Sequence, residues 1–95
     1  MGILLTLLLM FMISNSSQKI DERVKVVVLF SEKNTPLLLL WKGRRIYIKK
    51  TNLFFYKKIG GKFLYYFCVS DSDDNGYKLC FDTTDLSWIL EEITF

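Results

Sequence analysis

The sequence predicts an all-β fold: a small antiparallel meander of six to seven strands curled into an SH3-like barrel or roll. Three observations predict it. Aromatic residues make up 16% of the chain, and they cluster with β-branched residues between Val24 and Phe81, a composition that suits strands. Turn signals at Lys42-Gly43-Arg44 and Gly60-Gly61 separate runs that alternate apolar and polar residues. The connections are short, and parallel strands would need long crossovers. With 95 residues the chain makes one domain. A sheet with apolar residues on both faces must curl to bury them.

The chain begins with an apolar run, Gly2 to Ile13. It is too short to span a bilayer as a helix, which takes about 20 residues. It has the length of a signal-peptide apolar region, but no Lys or Arg precedes it. Three readings stand open: a leader foreign to the domain, with the true start at Met10 or Met12; a signal peptide or anchor; or a packed element. Residues 1–22 are accordingly read as apolar leader and flexible lead-in, and residues 23–95 as a single β domain.

Val24 to Phe30 reads as the first strand. Val24, Val26 and Val28 share one face, and Lys25, Val27 and Leu29 the other, so the strand is expected to be central and covered on both faces. After a loop at residues 31–36, Leu37 to Trp41 is a short buried strand. The turn at Gly43 leads into Arg45 to Lys50, where Ile46 and Ile48 point one way and Arg45, Tyr47 and Lys49 the other. Leu53 to Lys58 follows as a strand or a short bent segment. Lys62 to Ser70 is expected to be the longest strand, with Phe63, Tyr65, Phe67 and Val69 on one face. A polar turn leads to Tyr77 to Asp82, with Leu79 and Phe81 inward. Leu86 to Ile93 reads two ways: a short helix capped by Asp85, or a strand alternating Trp88 and Leu90 with Ile89 and Glu91. The strand is the preferred reading.

Charge is segregated along the chain. Net charge is +3, but every charged residue from Lys33 to Ser70 is basic, and from Asp71 onward Lys78 stands alone against seven acids. Histidine is absent, which removes the commonest general base and metal ligand. No base accompanies a Ser or Cys nucleophile, and no phosphate loop is present. These absences point to a non-enzymatic binding module with no catalytic residues, no small-molecule substrate and no cofactor. The basic stretch is interleaved with aromatics, the pairing small β domains use to meet phosphates and stack bases. The candidate nucleic-acid-binding residues are Arg44, Arg45, Tyr47, Lys49 and Lys58. The alternative is a protein–protein or self-association domain whose aromatic strands pair at a sheet edge.

Two further constellations stand out. Asp71-Ser72-Asp73-Asp74-Asn75-Gly76 fits the start of a calcium loop, with Asp82 at the last ligand position, so Asp71, Asp73, Asn75 and Asp82 are candidate calcium ligands. The competing reading is a polar hairpin turn with Asn75-Gly76 at its bend, and no metal. Cys68 and Cys80 lie on the arms of that hairpin. If Val69 faces Leu79, they face one another, and a disulfide is within reach in an exported protein. Otherwise they are two buried thiols.

Pro36, the apolar run to Trp41-Lys42-Gly43-Arg44, Tyr47, then Tyr65-Tyr66-Phe67, the acidic turn ending in Gly76, Tyr77-Lys78-Leu79, Asp82 and Trp88-Ile89-Leu90 carry a resemblance. From Val24 to Ile93 the pattern resembles a small bacterial all-β domain family of unknown function. Its members are short stand-alone proteins and domains associated with accessory proteins of error-prone, Y-family-like DNA polymerases. The resemblance implies no catalytic residues, a nucleic-acid or DNA-repair-protein partner, and a cytoplasmic location. Residues 1–17, read as a signal peptide, would instead imply export.

Overall fold

Seven strands make up the protein: β1 (Ser17–Leu29), β2 (Thr35–Trp41), β3 (Arg44–Tyr47), β4 (Lys50–Ile59), β5 (Lys62–Ser70), β6 (Gly76–Asp82) and β7 (Ser87–Thr94). The computed structural model describes residues 17–31 and 34–95. The apolar run at residues 2–13, with its three readings, lies outside them. The strands form one antiparallel sheet in the order β3-β2-β1-β7-β6-β5-β4. Among the described residues no helix is long and apolar enough to cross a membrane.

Strand β1 is the spine. Its first half pairs with β7, from Ser17↔Thr94 to Val24↔Trp88. Its second half pairs with β2, from Lys25↔Leu40 to Leu29↔Thr35. The change of partner folds β1–β3 over the inner face of β5–β7. Leu39 and Ile46 thereby join Phe67, Val69, Leu79 and Leu90 in one buried cluster. The ends of the sheet also approach each other. Ile48 N–H donates to the Leu37 carbonyl of β2 at 3.0 Å, and the next residue, Lys49, donates to the Ser70 carbonyl of β5 at 2.9 Å. The chain thus passes from one end of the sheet to the other in two residues, yet no ladder joins β3 to β4, so the sheet is not closed.

Both tight turns follow from local chemistry. Lys42 (φ 51°) and Gly43 (φ 73°) connect β2 to β3, and Gly60 (φ 57°) and Gly61 (φ 82°) connect β4 to β5. Positive φ at both central residues gives the hairpin turn that matches the natural twist of paired strands.

Several expectations are corrected. The lead-in up to residue 22 belongs in part to the sheet, since β1 starts at Ser17. Its alternation is hidden in the sequence because Asp21 takes φ 53° and the register shifts between Lys19 and Glu22. Nor is β1 covered on both faces: Val27 and Leu29 are about half exposed, at 47% and 51%, because no second layer lies outside them among the described residues. It is also the longest strand, not β5. Strand β3 ends at Tyr47, and Lys50 opens β4 instead. Residues 53–58 lie within a strand, bulged at Asn52. Residues 87–94 form a strand, so the helical reading of this stretch is set aside.

Candidate binding face of the β4–β5 hairpin

Alternation along β4 and β5 sorts their side chains onto two unlike faces. On the inner face Phe54, Tyr56 and Lys58 stand opposite Phe67, Tyr65 and Phe63. Their rings form a run: Phe54 packs at 4.9 Å on Phe67 and stacks at 5.8 Å on Tyr65, and Tyr56 meets Phe63 edge-on at 6.0 Å. The folded-over layer covers Phe67 but not the outer half of the hairpin. Phe54, Tyr56 and Phe63 consequently remain 51%, 62% and 39% exposed. Lys58 Nζ lies 5.7 Å from the centre of the Phe63 ring.

Toward β1 the aromatic run enters a cleft of about 760 Å³. Phe54, Tyr65, Phe67, Phe81 and Trp88 form its floor, and Val28 and Phe30 its opposite wall. Asn34, Thr35, Thr51 and Asn52 supply polar groups, and no charged residue lines it among the described residues. Thr51 Oγ1 is buried and finds no hydrogen-bond partner among the described residues. A buried hydroxyl left unpaired is costly, so it is a donor and acceptor available to whatever enters. Flat rings, amides and hydroxyls without charge suit a flat, neutral ligand with polar edges.

The outer face of the same hairpin is already closed. Phe55 stacks on Tyr66 at 4.8 Å with the rings 6° from parallel. Lys57 and Lys78 lie 5.2 and 5.4 Å from the Tyr66 ring, and Lys78 pairs with Glu91 at 3.7 Å. Burial, with Cys80 and Glu91 adding, pushes the Tyr66 phenol up to about 12.

The sequence-derived basic candidates do not form one patch. Arg45 and Tyr47 share the outer face of β3, opposite Leu40 and Leu38. Arg44 pairs with Trp41 and alternates onto the other face. Lys49 lies in the corner between β3 and β4. Lys58 alone joins the aromatic run. Reading the stretch as one continuous hairpin hid this, because the chain changes edges between Ile48 and Lys49. Phe54, Tyr56, Phe63 and Tyr65, which form the aromatic run, were not among those five candidates. Their signal was the even spacing of rings along both arms of the Gly60-Gly61 hairpin.

The calcium geometry is not formed. The Asp71 carboxylate accepts hydrogen bonds from the amides of Asp73 and Asn75, at 2.9 and 3.0 Å, and from Asn75 Nδ2 and the Tyr77 hydroxyl. It anchors the turn itself. Asp82 lies at the far end of β6, bonded to Lys62 Nζ at 2.9 Å. Asp71, Asp73, Asn75 and Asp82 therefore do not converge. No cluster of three metal-ligating side chains occurs among the described residues. The cysteine pairing is corrected too. Cys68 pairs with Lys78 and Cys80 with Tyr66, and both thiols are free. The turn spans residues 71–75, with Ser70 facing Gly76, which moves the register two residues from the Val69↔Leu79 expectation.

Compared with known proteins, the chain matches no family model, no curated protein and no solved structure.

Proposed function

We propose that the protein is a non-enzymatic binding module that holds single-stranded nucleic acid on the inner face of β4–β5. The observation that carries the reading is the exposed run of Phe54, Tyr56 and Phe63 opening into an uncharged cleft. Unpaired bases are flat, neutral and edged with donors and acceptors. Aromatic side chains stack on any of them, contributing about 1–3 kcal/mol per base. The amides and hydroxyls of Asn34, Thr35, Thr51 and Asn52 would meet base edges. Cations lie outside the cleft, where phosphates would run: Lys49 and Lys50 just before Thr51, and Lys58 toward the hairpin tip. Of the five residues first picked for this role, Lys49 and Lys58 remain in it. The proposed partner is a nucleic acid, free or within a DNA-repair complex, and a cytoplasmic location accords with that reading.

The same reading refines the fold. Two sheet ends that meet at Ile48 and Lys49, over one shared core, support an SH3-like roll left open between β4 and β1–β2. The opening is the cleft.

Fluorescence anisotropy with labelled single- and double-stranded oligonucleotides at two salt concentrations tests this. Single strands are expected to bind more tightly, with affinity falling as salt rises. Phe54→Ala with Tyr56→Ala should weaken binding at least tenfold and leave the salt slope unchanged. Lys49→Glu with Lys58→Glu should flatten that slope. No binding at low salt would overturn the proposal.

A further inference from the structure

We propose that β4 is a self-association edge, where two copies of the chain pair antiparallel about a two-fold axis through Tyr56. This rests on the geometry of the strand alone and holds whatever the aromatic face binds.

Strand β4 ends the sheet and has no neighbour beyond it among the described residues. A tight turn bonds the carbonyl of its first residue to the amide of its fourth, so Ile59 and Lys62 form a hydrogen-bonded pair around Gly60-Gly61. Hydrogen-bonded and open pairs alternate along an antiparallel ladder. Residues 57, 55 and 53 therefore turn their backbone groups toward β5. The amides and carbonyls of Phe54, Tyr56 and Lys58 point the other way, to the open side.

The regular part of this edge runs from Leu53, after the bulge at Asn52, to Ile59, before the turn. Tyr56 is its centre. A two-fold axis there sets Phe54 against Lys58 of the partner subunit and Phe55 against Lys57 of the partner subunit. It sets Leu53 against Ile59 of the partner subunit, and Tyr56 against its own copy. Each lysine meets a ring, each aliphatic side chain meets an aliphatic one, and no lysine meets a lysine. Neighbouring registers lose this match. A shift centred on Lys57 opposes that lysine to itself. A shift centred on Phe55 drives Lys58 onto the bulge at Asn52. A one-residue slip puts inner-face side chains on the outer face. The apolar exposure fits such a partner: Leu53 and Ile59 are 54% and 51% exposed, and Lys57 and Lys58 lie to one side of the centre, each opposite a ring. The paired sheet would carry the aromatic runs of both copies on one continuous surface.

The edge is short, so the association is weak and is read at high protein concentration. Sedimentation equilibrium is expected to show a reversible monomer–dimer equilibrium. The register is read by cross-linking. Directly opposed residues have Cα atoms about 5.5 Å apart in a hydrogen-bonded pair, within reach of a disulfide. Tyr56→Cys should give a covalent dimer under mild oxidation. Phe54→Cys and Lys58→Cys should each give little alone and cross-link when mixed. Circular dichroism verifies that each variant keeps its strands. A monomer at every concentration, or Tyr56→Cys cross-linking no faster than Phe54→Cys, would overturn the proposal.

Discussion

The Tyr77 hydroxyl donates a 2.8 Å hydrogen bond to Asp71 Oδ2, tying the first residue of the β5–β6 turn to the second residue of β6. Tyr77 is 6% exposed, so its hydroxyl has few other partners. One carboxylate thus anchors the turn amides and satisfies a core phenol together.

Removing that carboxylate should be expensive for a surface turn. Asp71→Ala leaves the buried Tyr77 hydroxyl unpaired, a loss of about 2 kcal/mol. Desolvation pushes the Asp71 carboxyl up, but the bonds from Tyr77, Asn75 and Asp73 outweigh it and hold the acid below its ordinary 3.8. A carboxyl depressed on folding contributes stability that is present above the unfolded value and lost as pH falls through the folded one. Urea unfolding of wild type and Asp71→Asn should therefore differ most at neutral pH. The gap should close as pH falls below about 3.8. A gap independent of pH would mean the charge is not what holds the turn.

The alkaline limit should come from tyrosines. Burial pushes both Tyr66 and Tyr77 up to about 12, and the bond to Asp71 adds to the rise at Tyr77. A phenol raised on folding contributes stability that is full below its unfolded value of 10.0 and lost as pH rises toward about 12. Phenolate absorbance should show a late phase from two of the five tyrosines, coincident with loss of structure. Tyr66→Phe and Tyr77→Phe should each remove one tyrosine from that phase.

Much of the sheet was legible because its signals are local. The runs at residues 62–70 and 77–82 alternate cleanly, and glycines mark the turns. What stayed hidden depends on long-range pairing. Residues 17–23 carry no apolar period and become strand only because β7 offers them a ladder, with a bulge at Asp21 erasing the alternation. The jump between Ile48 and Lys49 has no sequence mark, so Arg45 and Lys58 looked like neighbours on one basic face. The aromatic run was visible as composition. That it stays exposed was not, since this depends on where the folded-over layer ends.

The β2–β3 turn leaves room for stabilisation. Lys42 takes φ 51°, a conformation that costs an ordinary side chain about 1 kcal/mol and that asparagine tolerates better. Its side chain gives little back. The pair with Glu22 is long at 3.9 Å, and both partners are largely exposed, so it contributes only about 0–1 kcal/mol. The contact with the partly buried Trp41 ring, at 5.0 Å, is made by a lysine that is itself largely exposed. Lys42→Asn should raise stability by about 0.5 kcal/mol and lift the thermal midpoint by a few degrees. A drop instead would show that the Lys42 contacts outweigh the backbone strain.

Cys68 and Cys80 should count as two thiols when the protein is denatured without reductant. Each stands across the ladder from a different residue, Lys78 and Tyr66, and not from the other. Burial pushes both thiols up, which lowers the thiolate fraction that reacts. In the native protein a thiol reagent should therefore act slowly, and least on Cys80, which is 4% exposed. Reactivity at Cys80 should appear only as the sheet opens, so its rate should rise with urea in step with unfolding. Fast labelling of Cys80 at neutral pH would mean that β6 opens locally. A denatured thiol count of zero in a chain that runs as a monomer without reductant would require the β5–β6 register to shift by two residues, which brings the cysteines opposite each other.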